Sequence, residues 1–242
     1  HRHVETEIRM REAMTYRERF FSLVENSGTG DLPFFPDLTD WYMARRIQPG
    51  EAFPYAPGQF IPDDSPLHKR NHDMPEELAG LTFLDIFKKF GWGCPIHCYE
   101  WFDAEYSPPV SREVKVEGHT RTTRLIASRG VLEKVEKLCD DGSWAPAEHF
   151  VKTVDDLEIM REVVEHTSFV PRFERAQAVL DALGGQGVLD LPVMRSPFGK
   201  LVHEYMGLER VAFALFDQPE TVLSFMAFQE QKDLEQVELA AR

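Results

Sequence analysis

The stretch LPFFPDLTDWYMARR, residues 32–46, decides how this chain is read. Residues 32–36 are apolar and short enough for a buried strand. The next ten carry two Asp, a Thr, a Trp, a Tyr and two Arg. A strand followed at once by polar and aromatic chemistry is the pattern of the C-terminal mouth of a (β/α) barrel. Upstream, Thr15 and Glu18 form a capping-box pattern, and Phe20, Phe21 and Val24 follow at helical spacing. The pattern predicts a helix over residues 15–25, broken by NSGTGD with Gly28 and Gly30 as stop signals.

Downstream, residues 47–80 are rich in Pro, Gly and Asp and read as a long irregular excursion, of the kind usually kept for function. Thr82 caps a second predicted helix bearing Phe83, Leu84, Ile86, Phe87 and Phe90, with Gly91 as its C′ residue. Over residues 95–138 the period changes to two. PIHCYEWF, SREVKVEG, TRTTRLIA and GVLEKVEKL read as an antiparallel meander inserted in the fold. Helical patterns return with Thr153 and Asp156 and again over residues 173–183. GVLDLPV, residues 187–193, reads as a buried parallel strand, and Ser196-Pro197 opens another helix. The last helix starts at Pro219.

Strand–helix alternation at both ends implies an α/β class. The expected architecture is a (β/α)8 TIM barrel that is incomplete, residues 1–242 forming its N-terminal part as a single domain. Only 32–36 and 187–192 look like parallel strands, whereas a full barrel needs eight and about 250 residues.

The bulk properties narrow the function. The 27 basic and 41 acidic residues give a net charge of −14, which argues against a nucleic-acid partner, since that binding relies on Lys and Arg neutralising phosphates. A local Arg cluster on an acidic protein could still take a small anion. The apolar runs fall short of the roughly 18 residues a membrane helix needs, and HRHVETEIRMREAM does not read as a signal peptide. Cys94, Cys98 and Cys139 are too few for a disulfide framework. A cytoplasmic protein is expected.

Four passages in order resemble the uroporphyrinogen decarboxylase superfamily: TYRERFFSLVENSGTGDLPFFPDLTDWY, TRTTRLIASRGVLEKVEKL, SWAPAEHFVKTVDDLEIMREVVE and SPFGKLVHEYMGLERVAFALFDQPETVLSFM. The resemblance runs over most of residues 15–240. It implies a barrel with its site at the C-terminal ends of the strands. It also implies one of two activities, methyl transfer involving a corrinoid cofactor or decarboxylation of a porphyrinogen. True decarboxylases carry Arg-Gln-Ala-Gly-Arg just after the first strand. This chain has PDLTDWYMARR there, with its arginines out of step, which favours methyl transfer. The zinc site of the methyltransferases, a His-x-Cys with a distant Cys, would lie in a C-terminal part beyond this sequence. Partners implied are a small-molecule or tetrapyrrole substrate, a corrinoid protein and a second copy of the chain. A non-catalytic tetrapyrrole- or partner-binding module is the alternative.

Asp37, at the end of the expected first strand, is placed as a general base or substrate anchor, with loop capping as its plain alternative. In the decarboxylase reading it would orient pyrrole N–H groups. Tyr42 joins it as a catalytic candidate. Trp41 and Tyr42 could wall a planar ligand or simply pack under the long loop. Arg45 and Arg46 could hold a carboxylate, or lie solvated. Arg195 and Ser196, opening a helix, could bind an anion, or Ser196 could only cap. His203 could shuttle protons, or sit on the surface. Cys94, His97 and Cys98 tempt as metal ligands, but adjacent strand residues point to opposite faces, and no metal is assigned.

Overall fold

The computed structural model describes residues 14–25, 33–193 and 195–241. Along the chain, the helices are α1 (Tyr16–Val24), α2 (Thr39–Arg46), α3 (Phe83–Phe90), α4 (Asp156–Glu165), α5 (Phe173–Leu183), α6 (Pro197–Lys200), α7 (Leu208–Asp217) and α8 (Pro219–Ala240). The strands are β1 (Cys94–His97), β2 (Phe102–Tyr106), β3 (Ser111–Glu117), β4 (Thr120–Ala127), β5 (Gly130–Leu138), β6 (Trp144–Glu148), β7 (Thr167–Pro171) and β8 (Gly187–Asp190). They form three small sheets, β1–β8, β2–β7 and β3–β4–β5–β6, and only β1–β8 is parallel.

This arrangement overturns the (β/α)8 TIM barrel. Among the described residues there is one parallel pair of four-residue strands and no closed barrel. The expected strand at 32–36 is not one. Residue 32 lies outside the described residues, and 33–38 have no regular structure. Pro33 and Pro36 lack the N–H that a ladder needs. Phe34 O accepts a backbone bond from Gly93 N at 2.8 Å instead of joining a ladder. The 95–138 meander is displaced as well. Its first segment splits, Cys94–His97 pairing in parallel with Gly187–Asp190 and Phe102–Tyr106 pairing antiparallel with Thr167–Pro171. The true four-stranded meander runs from Ser111 to Glu148, gaining β6 from a stretch that reads as a turn.

The chain divides into two compact units. The first takes its described residues from 14–25, 33–49, 53–101 and 173–192; the second takes 50–52, 102–172, 193 and 195–241. In the first unit, local signals set the helices. Thr15 and Glu18 close a capping box on α1, Thr82 and Asp85 close one on α3, and Gly91 ends α3 in the left-handed region at φ 66°. Phe83, Leu84, Ile86 and Phe87 bury one face of α3 against Tyr42, Met43, Ile61 and Leu67. Each such side chain contributes on the order of 1.5–3 kcal/mol of burial.

One side chain ties the second half of the excursion between α2 and α3 to α2. Arg46 is 1% exposed. Its guanidinium donates to the carbonyls of His68, Arg70, Ala79 and Leu81, each at 2.8 Å, and lies 4.8 Å over the Tyr42 ring. A planar fork with five donors can hold several loop carbonyls at once, as a Lys ammonium could not.

The second unit packs α4, α7 and α8 with the meander around Leu125, Val151, Leu157, Met160, Val211, Val222 and Phe225. The β4–β5 turn is pinned by Glu162 of α4. Its carboxylate accepts from Ser128 N at 2.9 Å and from Arg129 N at 3.1 Å. After α6 the chain widens into a π-turn, Leu201–Tyr205, where Met206 N and Gly207 N both donate to Leu201 O. No helix among the described residues is long and apolar enough to cross a membrane.

Candidate functional site

In the antiparallel meander, alternation puts every second side chain on one face, and the register aligns three rows across it. These are Val116–Arg121–Glu136, Val114–Thr123–Lys134 and Arg112–Leu125–Leu132. This face forms one wall of a cavity of about 600 Å³ within the second unit. Opposite lie Met160, Val163 and Val164 of α4, and Phe102, Tyr106 and Phe169 of the β2–β7 ribbon. Lys200, Glu204 and Tyr205 reach it from α6 and the π-turn, and Gln229 and Lys232 from α8. A volume of this size, apolar with convergent polar groups, suits a small-molecule ligand.

The polar groups are not evenly signed. Five cations line the cavity, Arg112, Arg121, Lys134, Lys200 and Lys232, against two carboxylates, Glu136 and Glu204. Glu136, 6% exposed, takes Arg121 Nε at 2.8 Å and Lys134 Nζ at 3.0 Å. Burial alone would raise its carboxyl; the hydrogen bonds and charges of Lys134 and Arg121 outweigh that and hold it below the usual carboxylate range. The deepest cation, Lys200, is 1% exposed and paired with Asp233. Asp233 also accepts from Gln229 Nε2 at 2.7 Å, and Gln229 Oε1 accepts from the Tyr205 hydroxyl at 3.4 Å. Burial, with Glu204 and Asp233 adding to it, pushes the Tyr205 phenol well up. Glu204 is half-buried, and desolvation raises its carboxyl although Lys200 and Arg195 pull the other way. Arg112 differs from the rest, since it has no carboxylate partner among the described residues.

Comparison with known protein families, curated proteins and solved structures finds no match. The site therefore stands on its own geometry.

The residues singled out in the sequence fall elsewhere. Asp37 is exposed, and its Oδ1 accepts from Thr39 N at 3.0 Å, starting α2. Trp41 packs against the core of the first unit. Tyr42 is fully buried, with its hydroxyl 2.6 Å from His68 Nδ1. The Tyr42 hydroxyl also donates to Leu81 O at 3.1 Å, and His68 Nε2 lies 2.7 Å from Pro62 O. Burial, eased by Arg46, pushes the Tyr42 phenol up to about 12. Arg45 pairs with Asp73 at the surface, and Arg46 holds the loop. In the second unit, Ser196 Oγ accepts from Gly199 N at 3.2 Å as a helix cap. Arg195 lies 3.5 Å from Glu204, and His203 is exposed. Tyr42 and Arg46 are thus brought together, as are Arg195 and Glu204, whereas Asp37 and Tyr42 belong to one unit and His203 to the other. Among the described residues no group of three or more His, Cys, Asp or Glu is placed to hold a metal.

The cavity residues escaped the sequence reading because no local motif marks them. The one usable signal was the period-two placement of Arg112, Arg121, Thr123, Lys134 and Glu136 on neighbouring strands, which shares a face only once the register is known.

Proposed function

We propose that the second unit binds a small organic anion with an apolar body, of the carboxylate or phosphate class, in this cavity. The observation that carries the reading is Arg112, a cation without a carboxylate partner among the described residues, lining an apolar-walled cavity on a chain of net charge −14. Arg112 is the anchor for the anionic head, and Met160, Val163, Val164 and Phe150 receive the apolar body. Carboxylated tetrapyrroles belong to this ligand class, which accords with a tetrapyrrole-binding module. The three unpaired cysteines accord with a reducing, cytoplasmic setting.

The test is displacement of the fluorescent anion 8-anilinonaphthalene-1-sulfonate by octanoate, octanol and octylamine. Octanoate should displace it at the lowest concentration and octylamine at the highest. Equal competition by all three refutes the reading.

An enzymatic reading has one observation in its favour. Desolvation keeps the Glu204 carboxyl protonated to higher pH than usual, beside the cavity. In a decarboxylation, a C–C bond breaks, CO2 leaves and the carbon takes a proton, which Glu204 could give. E204Q should then keep ligand binding and lose CO2 release from a porphyrinogen. Corrinoid-linked methyl transfer rests on the sequence resemblance alone.

A further inference from the structure

The first unit holds a second cavity, of about 290 Å³, at the C-terminal edge of its parallel strand pair. Ligands of parallel sheets gather at this edge. His97 and Asp190 are the last residues of β1 and β8 and face each other in register. His97 Nδ1 lies 2.6 Å from Asp190 Oδ1. An aspartate carboxylate only accepts at neutral pH, so Nδ1 carries the proton and Nε2 of the neutral ring keeps its lone pair. Among the described residues Nε2 has no hydrogen-bond partner. The ring is seated from the other side by Gly58. That residue has φ +73°, its carbonyl accepts from His97 N at 2.8 Å, and a Cβ on it would come 2.0 Å from His97 Cδ2. A base oriented by a carboxylate and seated against backbone is pre-organised for proton transfer.

The lining sets the substrate class. Tyr55, Phe60, Ile96 and Val179 give it apolar walls, and Arg175 and Glu100, which line it together with Gln59, bring charges of opposite sign, with Arg175 Nη1 donating to Glu100 O at 3.5 Å. The Cys98 thiol is itself pushed up by burial and by Glu100, which leaves it a poor nucleophile. We propose that His97, oriented by Asp190, is the general base of a hydrolytic site for small uncharged esters. His97 Nε2 takes a proton from water as the water oxygen bonds to the ester carbonyl carbon. The ester C–O bond then breaks, and the leaving oxygen takes the proton back from the imidazolium. His97 is the catalytic residue; Asp190 is a positioning residue. The site is independent of the anion cavity in the second unit.

The experiment is hydrolysis of p-nitrophenyl acetate by the full chain, followed from the first turnover. A saturable rate is expected, with kcat falling about a hundredfold in H97Q, the scale of a lost general base. D190N should lower kcat about tenfold with KM unchanged, a split that a merely structural role would not give. Circular dichroism confirms the fold of both variants, and D190N carries the test if H97Q does not fold. Three results would overturn the proposal. One is a rate linear in ester that drops by about one-ninth in H97Q, the share of one imidazole among nine. Another is a burst of one equivalent of p-nitrophenol, which would make a side chain the nucleophile. The third is no hydrolysis above buffer.

Discussion

Two arginines, one in each unit, show how differently the same side chain can be used. Arg46 stands in the stretch that reads most like an active-site loop, yet it is buried and its two terminal nitrogens donate to loop carbonyls. Arg112 stands in an ordinary edge strand, yet it faces a cavity with no carboxylate partner among the described residues. Chemistry-rich sequence therefore marks a structural clamp in one unit, and plain alternation marks the ligand face in the other. Residue type suggests what a side chain can do; only its register and burial decide what it does.

The comparison can be broken most directly at Arg46. R46A leaves four partly buried loop carbonyls without their donor, and it should destabilise the first unit by about 3 kcal/mol or more. R46K should recover only part of that, because an ammonium has three donors and no fork. Chemical denaturation followed by tryptophan fluorescence, to which Trp41, Trp92 and Trp101 of the first unit contribute, reads both, and a loss under about 1 kcal/mol for R46A would remove the clamp reading.

Next in size is Glu136. Its folded-state carboxyl is held below its ordinary range, so its contribution to stability is present above that range and is lost as pH falls through the lowered value. E136Q should cost about 1–2 kcal/mol at neutral pH. It should also flatten the acid limb of the second unit's stability, measured as melting temperature against pH. An acid limb unchanged in E136Q would show that Arg121 and Lys134 do not act through it.

Arg112 should behave in the opposite manner to Arg46. R112A should leave the melting temperature in place and weaken octanoate binding about tenfold, roughly 1.4 kcal/mol. A variant that loses stability but not affinity would make the two arginines alike. Smallest of all is Arg45, whose surface pair with Asp73 should be worth less than about 1 kcal/mol. R45A should barely move the denaturation midpoint of the first unit.

What was legible in the sequence was local. Thr15 with Glu18 and Thr82 with Asp85 announced two helix starts, Gly91 announced a helix end, and alternation located the strands at 111–138. What was not legible was long-range. The β1 strand pairs with residues more than ninety positions away, and no periodicity encodes that partner. Pro33 and Pro36 argue against a first barrel strand, whereas the apolar run around them argues for one, and only the missing ladder decides between the two. The cavity is a product of register, so its cations were scattered letters until three strands aligned them. His97 was considered only as a metal ligand, and its partner Asp190 becomes its neighbour only through the β1–β8 pairing.

The Arg46 clamp also bears on how the first unit comes apart. Between α2 and α3 the chain has just two short 3₁₀ turns, Pro66–Lys69 and Glu76–Leu78, and would pass for an easy target of proteases. Four of its carbonyls between His68 and Leu81, however, are tied to a side chain on α2. Fraying of that half must release Arg46, so a cut there reports the loosening of α2.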